Sequence, residues 1–360
     1  MKILIVKTSS IGDVLHTFPV LSYLRKRFPA AQIDWAVEKG CAELLHGHPQ
    51  LSRMLVLDSR VWRKTLFSKK TRLEISEFFR TLREEEYDLL IDLQGNSKSA
   101  LVTLSAKAKE KVGFGWNALP EKPNWLVTTH RYNPPENLSV RERNLHLVQS
   151  HFQDFTAEEF SSPQLKISEA EEVRLVEILS KMRGERLMIC FGSKWRNKQL
   201  GEETLFPLVK KIEERLHPAF LFIWGSETEK RLADKLHELF PRDSQSIGEL
   251  SLSLWQALMA KMQGVLAVDS AALHLCATTE TPTFSIFGPS SSAYYKPEGE
   301  EHQCVQGECP YGQIFEKRCQ KLRSCPTGAC VRNLKVETLF ARFNLWWQKR
   351  ENRYDRSHDF

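Results

Sequence analysis

Short apolar runs alternate with amphipathic helical segments along most of the chain, and this alternation restricts the fold more than any other feature. The apolar runs lack a strict two-residue period, which indicates strands that are covered on both faces. The segments between them, such as residues 205–216 and 227–239, carry apolar residues at three- and four-residue spacing, as helices do. The alternation predicts an α/β fold with parallel sheets built from βαβ units. The candidate strands are residues 3–7, 32–37, 54–57, 88–93, 112–114, 187–191, 220–224, 264–268 and 283–287.

The length of the chain favours two domains. Its 360 residues exceed what one ordinary core supports, and the loop signal Ser161-Ser162-Pro163 falls between two halves of Rossmann-like size. We predict an N-terminal domain over residues 1–165 and a C-terminal domain over residues 166–334. Residues 335–360 are predicted to form a helix that packs back on the N-terminal domain, followed by a frayed polar tail. The two Rossmann-like domains are expected to face each other across a cleft, with ligands at the carboxyl ends of the strands.

Composition narrows the class of protein. The contents of 41% hydrophobic and 27% charged residues are typical of a globular protein. No apolar run approaches the roughly 20 residues of a membrane-spanning helix, and the first run, Ile3–Val6, is too short for a signal peptide. We therefore expect a cytoplasmic protein. The formal net charge of +6 fits an anionic substrate or an anionic membrane leaflet but decides nothing alone. Because zinc-finger spacing and aromatic ribonucleoprotein motifs are absent, we expect no nucleic-acid partner.

The loop after the first strand, Lys7–Thr17, contains the first candidate for catalysis. Gly12 permits a tight turn, and Asp13 follows it where an apolar helical pattern begins. A carboxylate at this place either caps the helix N-terminus or takes a proton from a substrate hydroxyl as a general base. Local sequence alone favours the cap.

Two strand ends in the second half carry residues suited to a phosphate ligand. Ser193, with Lys198 five residues later, can offer backbone amides and a counter-charge, although an ordinary βα turn has the same composition. Asp269-Ser270-Ala271 begins a helix, whose first amides lack internal partners and attract anions. His274 lies one turn further on, and a lone His there is more often a hydrogen-bonded core residue. Glu227 is either a ligand residue or a first-turn acid favoured by the helix dipole.

These motifs, taken in order, resemble glycosyltransferase family 9, the ADP-heptose transferases of lipopolysaccharide inner-core synthesis. The resemblance extends over about residues 3–290 and is greatest to the members that add the first heptose to Kdo on lipid A. Two positions depart from the family pattern: Gln199-Leu200 stands where the family has Trp-Pro, and Ala271 stands where it has Gly. The motifs that carry the resemblance are Ile3–Thr17 with Pro19, Asp34–Glu38, Trp62-Arg63-Lys64, Asp92–Ser99, Asp269–His274 and Phe287-Gly288-Pro289-Ser290.

The resemblance implies a GT-B glycosyltransferase that moves L-glycero-D-manno-heptose, with inversion, from ADP-heptose to Kdo of a lipid A acceptor. It implies that Asp13 is the catalytic base and that no metal or other cofactor is required. We expect a monomer that associates peripherally with the cytoplasmic face of the inner membrane. The implied acceptor-binding residues are Ser10, Gly12, Arg60, Arg63, Lys64, Gln94 and Lys98, and the implied donor-binding residues are Ser193, Lys198, Glu227, Asp269, Ser270, Ala271 and His274.

Other interpretations of these motifs remain open. The basic stretch Arg60–Arg72 would ordinarily be a solvated surface, whereas Kdo carboxylates and lipid phosphates would give its Arg forks a ligand. The chain could catalyse another step of the family, such as that of heptosyltransferase II, but the match at Trp62-Arg63-Lys64 favours the first step. It could also be a non-catalytic protein that binds nucleotide sugars, although the presence of Asp13 counts against this.

Five of the eight cysteines crowd into one segment near the end of the second half. Their two Cys-x4-Cys spacings could hold a structural zinc. Because stable disulfides are rare in the cytoplasm, we expect free or redox-labile thiols as the default. The clustered residues are Cys304, Cys309, Cys319, Cys325 and Cys330, and the remaining three, Cys41, Cys190 and Cys276, lie in apolar settings typical of buried thiols.

Overall fold

The computed structural model describes residues 1–156, 164–322 and 324–356, and the chain divides into two compact units, Met1–Leu165 and Lys166–Phe360. The loop signal at Ser161-Ser162-Pro163 and the end of the predicted polar tail, residues 357–360, lie outside the described residues. Each unit contains a parallel six-stranded sheet. Within the described part of the chain, no helix combines the length and the apolar character needed to cross a bilayer.

The first unit is a Rossmann-like α/β unit. Its strands are β1 (Lys2–Val6), β2 (Gln32–Glu38), β3 (Arg53–Leu57), β4 (Glu86–Asp92), β5 (Lys107–Phe114) and β6 (His130–Tyr132). Its helices are α1 (Ile11–Leu15), α2 (Phe18–Arg27), α3 (Ser59–Lys64), α4 (Lys69–Glu84), α5 (Ser97–Ser105) and α6 (Val140–Phe152), with 3-10 helices at Lys39–Leu45 and Lys122–Val127. The strand order is β3-β2-β1-β4-β5-β6, and the order reverses between β1 and β4, where α/β sheets bind ligands. All four residues of the run Ile3–Val6 are 0% exposed, which explains why β1 is apolar on both faces.

The second unit repeats this topology. Its strands are β7 (Arg186–Cys190), β8 (Ala219–Trp224), β9 (Ser244–Gly248), β10 (Gly264–Val268), β11 (Thr283–Phe287) and β12 (His302–Gln306). Its helices are α7 (Glu169–Ser180), α8 (Glu202–Leu216), α9 (Glu227–Leu239), α10 (Leu252–Met259), α11 (Ala271–Cys276), α12 (Ser292–Tyr295), α13 (Ala329–Arg332) and α14 (Val336–Arg356), with a 3-10 helix at Arg196–Lys198. The strand order β12-β11-β10-β7-β8-β9 places the reversal between β7 and β10. The loops that follow these two strands carry most of the predicted donor-binding residues.

The final helix, α14, belongs to the core of the second unit. Leu339, Phe343 and Trp347 are 0% exposed and lie in one hydrophobic cluster with residues of β7, β8, β10, β11 and α8. Trp346 donates its indole N–H to the carbonyl of Glu301 at 2.8 Å. This corrects the expectation that residues 335–360 pack on the N-terminal domain. The apolar stripe of the helix is where the sequence puts it, but amphipathicity does not specify which sheet a helix covers.

Candidate active site

The candidate base, Asp13, lies in the first turn of α1, after the loop that leaves the carboxyl end of β1. Its Oδ2 accepts hydrogen bonds from the backbone N–H of Ser10 at 3.0 Å and from the Ser10 hydroxyl at 2.8 Å. Ser10 is the N-cap of α1, so Asp13 occupies the third helical position of a capping box. Asp13 is therefore not the N-cap that local sequence favoured, and it remains partly exposed. Gly12 is buried in the same turn.

Gln94 fixes this loop from the end of the neighbouring strand, β4. Its side-chain oxygen accepts the backbone N–H groups of Thr8 and Ser9, each at 3.0 Å. The buried Asp92 holds the turn that carries Gln94, because its Oδ1 accepts the Gln94 N–H at 3.0 Å. Gln94 was predicted to contact the acceptor, and in the structure its oxygen positions the loop that leads to Asp13.

Lys98 forms an ion pair that the sequence did not reveal. Its Nζ lies 2.6 Å from Oε1 of Glu38, and the Glu38 side chain is 8% exposed. Glu38 ends β2 and also accepts the backbone N–H of Ser59, the first residue of α3, at 3.2 Å. The pair therefore ties α5 to the start of α3. The signal that could have identified Glu38 is its place at the carboxyl end of a buried strand.

Four charged groups of the first unit surround the thiol of Cys41. Burial raises the pKa of Cys41 to about 11; the negative charges of Glu38 and Asp13 also raise it, and the positive charges of Arg60 and Lys98 lower it. Such charge interactions weaken with distance, so all four groups must lie near one point. The structure therefore brings together Asp13, Arg60 and Lys98, which the sequence assigned to one site.

The cations of α3 are solvated. Arg60, Arg63 and Lys64 are exposed, and in the part of the chain that the structure describes none of them forms an ion pair with a carboxylate. Asp58 caps the helix by accepting the N–H of Val61 at 3.4 Å. An ordered helix thus presents three positive charges to solvent, where an anionic ligand can reach them.

The second unit brings three predicted donor-binding side chains into contact. Nζ of Lys198 lies 2.5 Å from Oδ2 of Asp269, and Nε2 of His274 lies 3.6 Å from its Oδ1. Burial raises the pKa of Asp269, but the adjacent His274 ring and the charge of Lys198 outweigh it, so the pKa lies well below the usual range. Asp269 is therefore ionised at neutral pH, and it holds an ammonium group at the carboxyl edge of the sheet, beyond β10.

The loop with Ser193 is held in place by Gln199. The Gln199 side-chain NH2 donates to the Ser193 carbonyl at 2.7 Å and to Oε1 of Glu229 at 3.2 Å. Leu200 is 6% exposed and packs in the hydrophobic cluster of the unit. The Gln199-Leu200 pair, where the chain departs from the family pattern, thus fixes the loop by hydrogen bonds and apolar packing.

Glu229, and not Glu227, is the acid that faces this loop. Oε2 of Glu229 accepts the N–H of Gly225 at 2.9 Å, and a Cβ on Gly192 would lie 2.6 Å from its carboxylate. Glu227 lies exposed in the first turn of α9, apart from this group. The helix dipole favours an acid at either position, so the sequence could not distinguish them.

Ser270 has a buried hydroxyl without a hydrogen-bond partner among the described residues. It precedes α11, which starts at Ala271, but its side chain does not cap that helix. A buried polar group without a partner costs about 1–3 kcal/mol. Because Ser270 follows Asp269 directly, a ligand bound at the Lys198–Asp269 pair would be near enough to satisfy this hydroxyl.

The loop after β11, Phe287-Gly288-Pro289-Ser290, is covered by the cysteine-rich segment, residues 304–330. The N–H of Cys319 donates to the Pro289 carbonyl at 2.7 Å, and Ser290 pairs with Arg318 as an isolated β-bridge. A pocket of about 460 Å³ adjoins this loop, and no predicted donor-binding residue lines it. Its lining comprises Ser291, Ser292, Ala293, Gln306, Gly307, Glu308, Cys309, Gly312, Gln313, Ile314 and Phe315.

The same segment holds the loop that carries Lys198. The side chain of Asn197 donates to the carbonyls of Leu322 at 2.7 Å and Cys325 at 3.0 Å. All eight cysteines are free thiols. In the described residues, no group of three or more His, Cys, Asp or Glu side chains is arranged to hold a metal ion. The segment therefore supports the donor-side loops by backbone and amide hydrogen bonds.

Comparison with known proteins places the chain among heptosyltransferases. The profile of glycosyltransferase family 9 (heptosyltransferase) matches residues 75–323. Lipopolysaccharide heptosyltransferase 1 of Pseudomonas aeruginosa is 28% identical over 323 residues, which cover 89% of this chain and 87% of that protein.

Solved structures agree with this match. The structure of E. coli heptosyltransferase WaaC with ADP superposes with a TM-score of 0.71 and 26% identity, covering 88% of this chain and 97% of that one. WaaC with ADP-2-deoxy-2-fluoro heptose gives 0.69 and 26%, covering 88% and 96%. The predicted GT-B fold class, with its two Rossmann-like units, is confirmed. The chain belongs to glycosyltransferase family 9, the heptosyltransferases, and is a glycosyltransferase.

Proposed function

We propose that this enzyme transfers L-glycero-D-manno-heptose from ADP-heptose to Kdo of the lipopolysaccharide inner core, carried by lipid A. The relatives named lipopolysaccharide heptosyltransferase 1, and the WaaC structures with ADP and with ADP-2-deoxy-2-fluoro heptose, support this reaction and this donor. The observation that carries the proposal is the Lys198–Asp269–His274 group, because three residues that the family motifs assign to the donor meet there.

The donor's diphosphate binds at this group. The Lys198 ammonium has three donor hydrogens, so it can keep its bond to Asp269 and still donate to a phosphate oxygen. The orphaned hydroxyl of Ser270 supplies a further donor. These groups are fixed before the reaction begins, and preorganised charges stabilise the negative charge that develops on the departing ADP. We therefore propose that the transfer needs no metal ion.

Asp13 acts as the general base. The acceptor hydroxyl oxygen forms a bond to the anomeric carbon of the heptose, and the bond from that carbon to the ADP oxygen breaks. ADP leaves with the electron pair, Asp13 takes the hydroxyl proton, and the anomeric configuration inverts. The hydrogen bonds from Ser10 orient the Asp13 carboxylate.

The solvated cations of α3 bind the acceptor. Arg60, Arg63 and Lys64 match the carboxylates of Kdo and the phosphates of lipid A in charge, and Arg presents a fork that fits such groups. The Lys98–Glu38 pair holds the start of α3 in position. Because this acceptor is a lipid, we propose that the enzyme works at the cytoplasmic face of the inner membrane as a peripheral protein.

An assay of the purified protein with ADP-heptose and Kdo-lipid A, with hexose nucleotides alongside, tests the proposal. Transfer from ADP-heptose alone, undiminished by EDTA, is the expected result. Turnover only on an acceptor that already carries heptose would assign a later step of the pathway. Tight binding of ADP-heptose without turnover on either acceptor would indicate a non-catalytic binding protein.

A further inference from the structure

The turn between α3 and α4 exposes an unusual amount of apolar side chain. Phe67, at the tip, is 90% exposed, and Leu66 beside it is 51% exposed. Val61 and Leu73, on the two helices, are 46% and 62% exposed. We call residues 61–73 the α3–α4 hairpin. An apolar tip of this kind is costly in water and indicates a surface that binds something.

The base of the hairpin is anchored, so its tip is presented in a fixed way. The ring of Trp62 packs edge-on against Phe78 with 5.6 Å between centroids, and its N–H donates to Glu74 at 3.2 Å. The hydroxyl of Thr65 contacts that of Thr71 at 2.7 Å across the turn. The exposure of Phe67 is thus a property of an ordered turn whose neighbouring aromatic residue is packed.

Positive charge surrounds this tip. Six cations and no acid occur from residue 60 to residue 72: Arg60, Arg63, Lys64, Lys69, Lys70 and Arg72. Lys69 and Lys70 are the first two residues of α4, whose first turn contains no acid and whose N-cap, Ser68, makes no side-chain capping bond. Cations at a helix N-terminus oppose the helix dipole. The helix therefore starts in a way that an anionic surface would stabilise.

We propose that the α3–α4 hairpin is a membrane-docking element that inserts Phe67 and Leu66 among the headgroups of an anionic bilayer. Lys69, Lys70 and Arg72 contact lipid phosphates around them. This proposal rests on the lipid acceptor of the proposed function and names the surface through which the enzyme reaches it. A free phosphorylated sugar would satisfy the cations but would leave the Phe67 ring in water, whereas a bilayer interface accommodates both.

Vesicle co-sedimentation of the full-length protein tests this element. Phosphatidylcholine vesicles with and without phosphatidylglycerol are compared at low and high salt. We expect binding only with the anionic lipid and weaker binding as salt rises. Phe67→Ser should weaken the partition by about tenfold or more, because a large apolar side chain no longer leaves water. Lys69→Gln with Lys70→Gln should weaken it by a similar factor and reduce the salt dependence.

A matched control comes from the second unit. Ile314 is 88% exposed, so Ile314→Ser removes an equally exposed apolar side chain outside the hairpin and should leave vesicle binding unchanged. Equal binding by the Phe67 and Ile314 variants would overturn the proposal, as would a wild-type protein that ignores anionic vesicles. A Phe67 variant that binds vesicles normally but loses a protein partner would also overturn it in favour of a protein interface.

Two acceptors separate this proposal from the proposed function. With a water-soluble Kdo oligosaccharide that lacks acyl chains, Phe67→Ser should turn over like the wild type. With Kdo-lipid A embedded in vesicles, its rate at low enzyme concentration should fall in line with its lost partition. Vesicle binding that depends on Phe67 without any heptose transfer would refute the function and leave the docking element standing. Equal rates of the variant and the wild type on embedded acceptor would refute the docking element alone.

Discussion

The two units share one strand order, but they hold their charged site residues in opposite ways. In the second unit, Lys198 and Asp269 form a pair whose side chains are 12% and 5% exposed. In the first unit, Arg63 and Lys64 stand in solvent on α3. A pair fixed in advance suits one small ligand of constant shape, the nucleotide sugar, whereas solvated cations suit the variable anionic face of a lipid acceptor. The same sheet therefore carries a preorganised site in one unit and an adaptable one in the other.

The largest effect is expected at Asp13. Asp13→Asn keeps an oxygen that can accept a hydrogen bond from Ser10 but cannot take up the acceptor proton, so turnover should fall by about 10²–10⁴-fold. Because the donor-binding group lies in the second unit, ADP affinity measured by calorimetry should stay at the wild-type level. If Asp13 served only the capping box, the variant would keep both its turnover and its melting temperature.

A large effect on stability is expected in the second unit. Lys198→Met leaves Asp269 ionised and buried beside His274 alone, and breaking a buried pair on one side costs about 3–5 kcal/mol of unfolding free energy. Adding Asp269→Asn removes the unpaired charge and should recover most of that loss in chemical denaturation.

Binding separates structure from function in this pair of variants. Both the single and the double variant should bind ADP at least tenfold more weakly, because neither retains the ammonium that donates to phosphate. A double variant that regains stability and also binds ADP like the wild type would show that the Lys198–Asp269 pair is purely structural.

A smaller, ligand-selective effect is expected on α3. Arg63→Ala should raise the apparent KM for the acceptor by about tenfold, since charge-assisted hydrogen bonds contribute roughly 1.5–3 kcal/mol, while donor affinity stays level. The increase should shrink at high salt, where exposed charges are screened. Arg80→Ala is the control: Arg80 is also exposed, and its i,i+4 pair with Glu84 contributes little. Equal losses for donor and acceptor would contradict the division of labour between the units.

The interior of both sheets could be predicted from sequence, and most of the edges could not. The nine candidate strands correspond to β1–β5, β7, β8, β10 and β11. The three that were missed, β6, β9 and β12, are all edge strands. An edge strand needs fewer apolar residues because one of its sides has no neighbouring strand, and Ser244–Gly248 shows this with the sequence Ser-Gln-Ser-Ile-Gly. Only β3, an edge strand with an apolar run, was found from its composition.

Site residues divide along a similar line. The proximity of Lys198, Asp269 and His274 could be anticipated, because the carboxyl ends of parallel strands meet at one edge of a sheet. The Glu38–Lys98 pair could not, because it joins residues 60 positions apart through packing that no local pattern encodes. The choice of Glu229 over Glu227 depends on which side of α9 faces the loop, and that is also decided by tertiary packing.

The smallest expected effect concerns thiols, which follow the same contrast between sealed and accessible groups. The first unit has one cysteine, Cys41, and burial raises its pKa to about 11. In the second unit, hydrogen bonds from the Gly328 N–H and the Thr327 hydroxyl lower the pKa of Cys325, which is half-buried. A lowered pKa increases the thiolate fraction near neutral pH, although the intrinsic nucleophilicity falls slightly.

Cys325 should therefore react with iodoacetamide first, a few-fold faster than Cys319, which is also half-buried, and much faster than Cys41. Raising the pH should narrow the difference, because the other accessible thiols then ionise as well. Thr327→Val removes the hydroxyl that stabilises the thiolate and should slow the labelling of Cys325 at pH 7 without changing that of Cys319. Peptide mapping by mass spectrometry gives each rate. Labelling of Cys41 before Cys325 would show that the first unit opens more readily than its burial implies, and an unchanged rate in the Thr327 variant would remove the hydroxyl from the explanation.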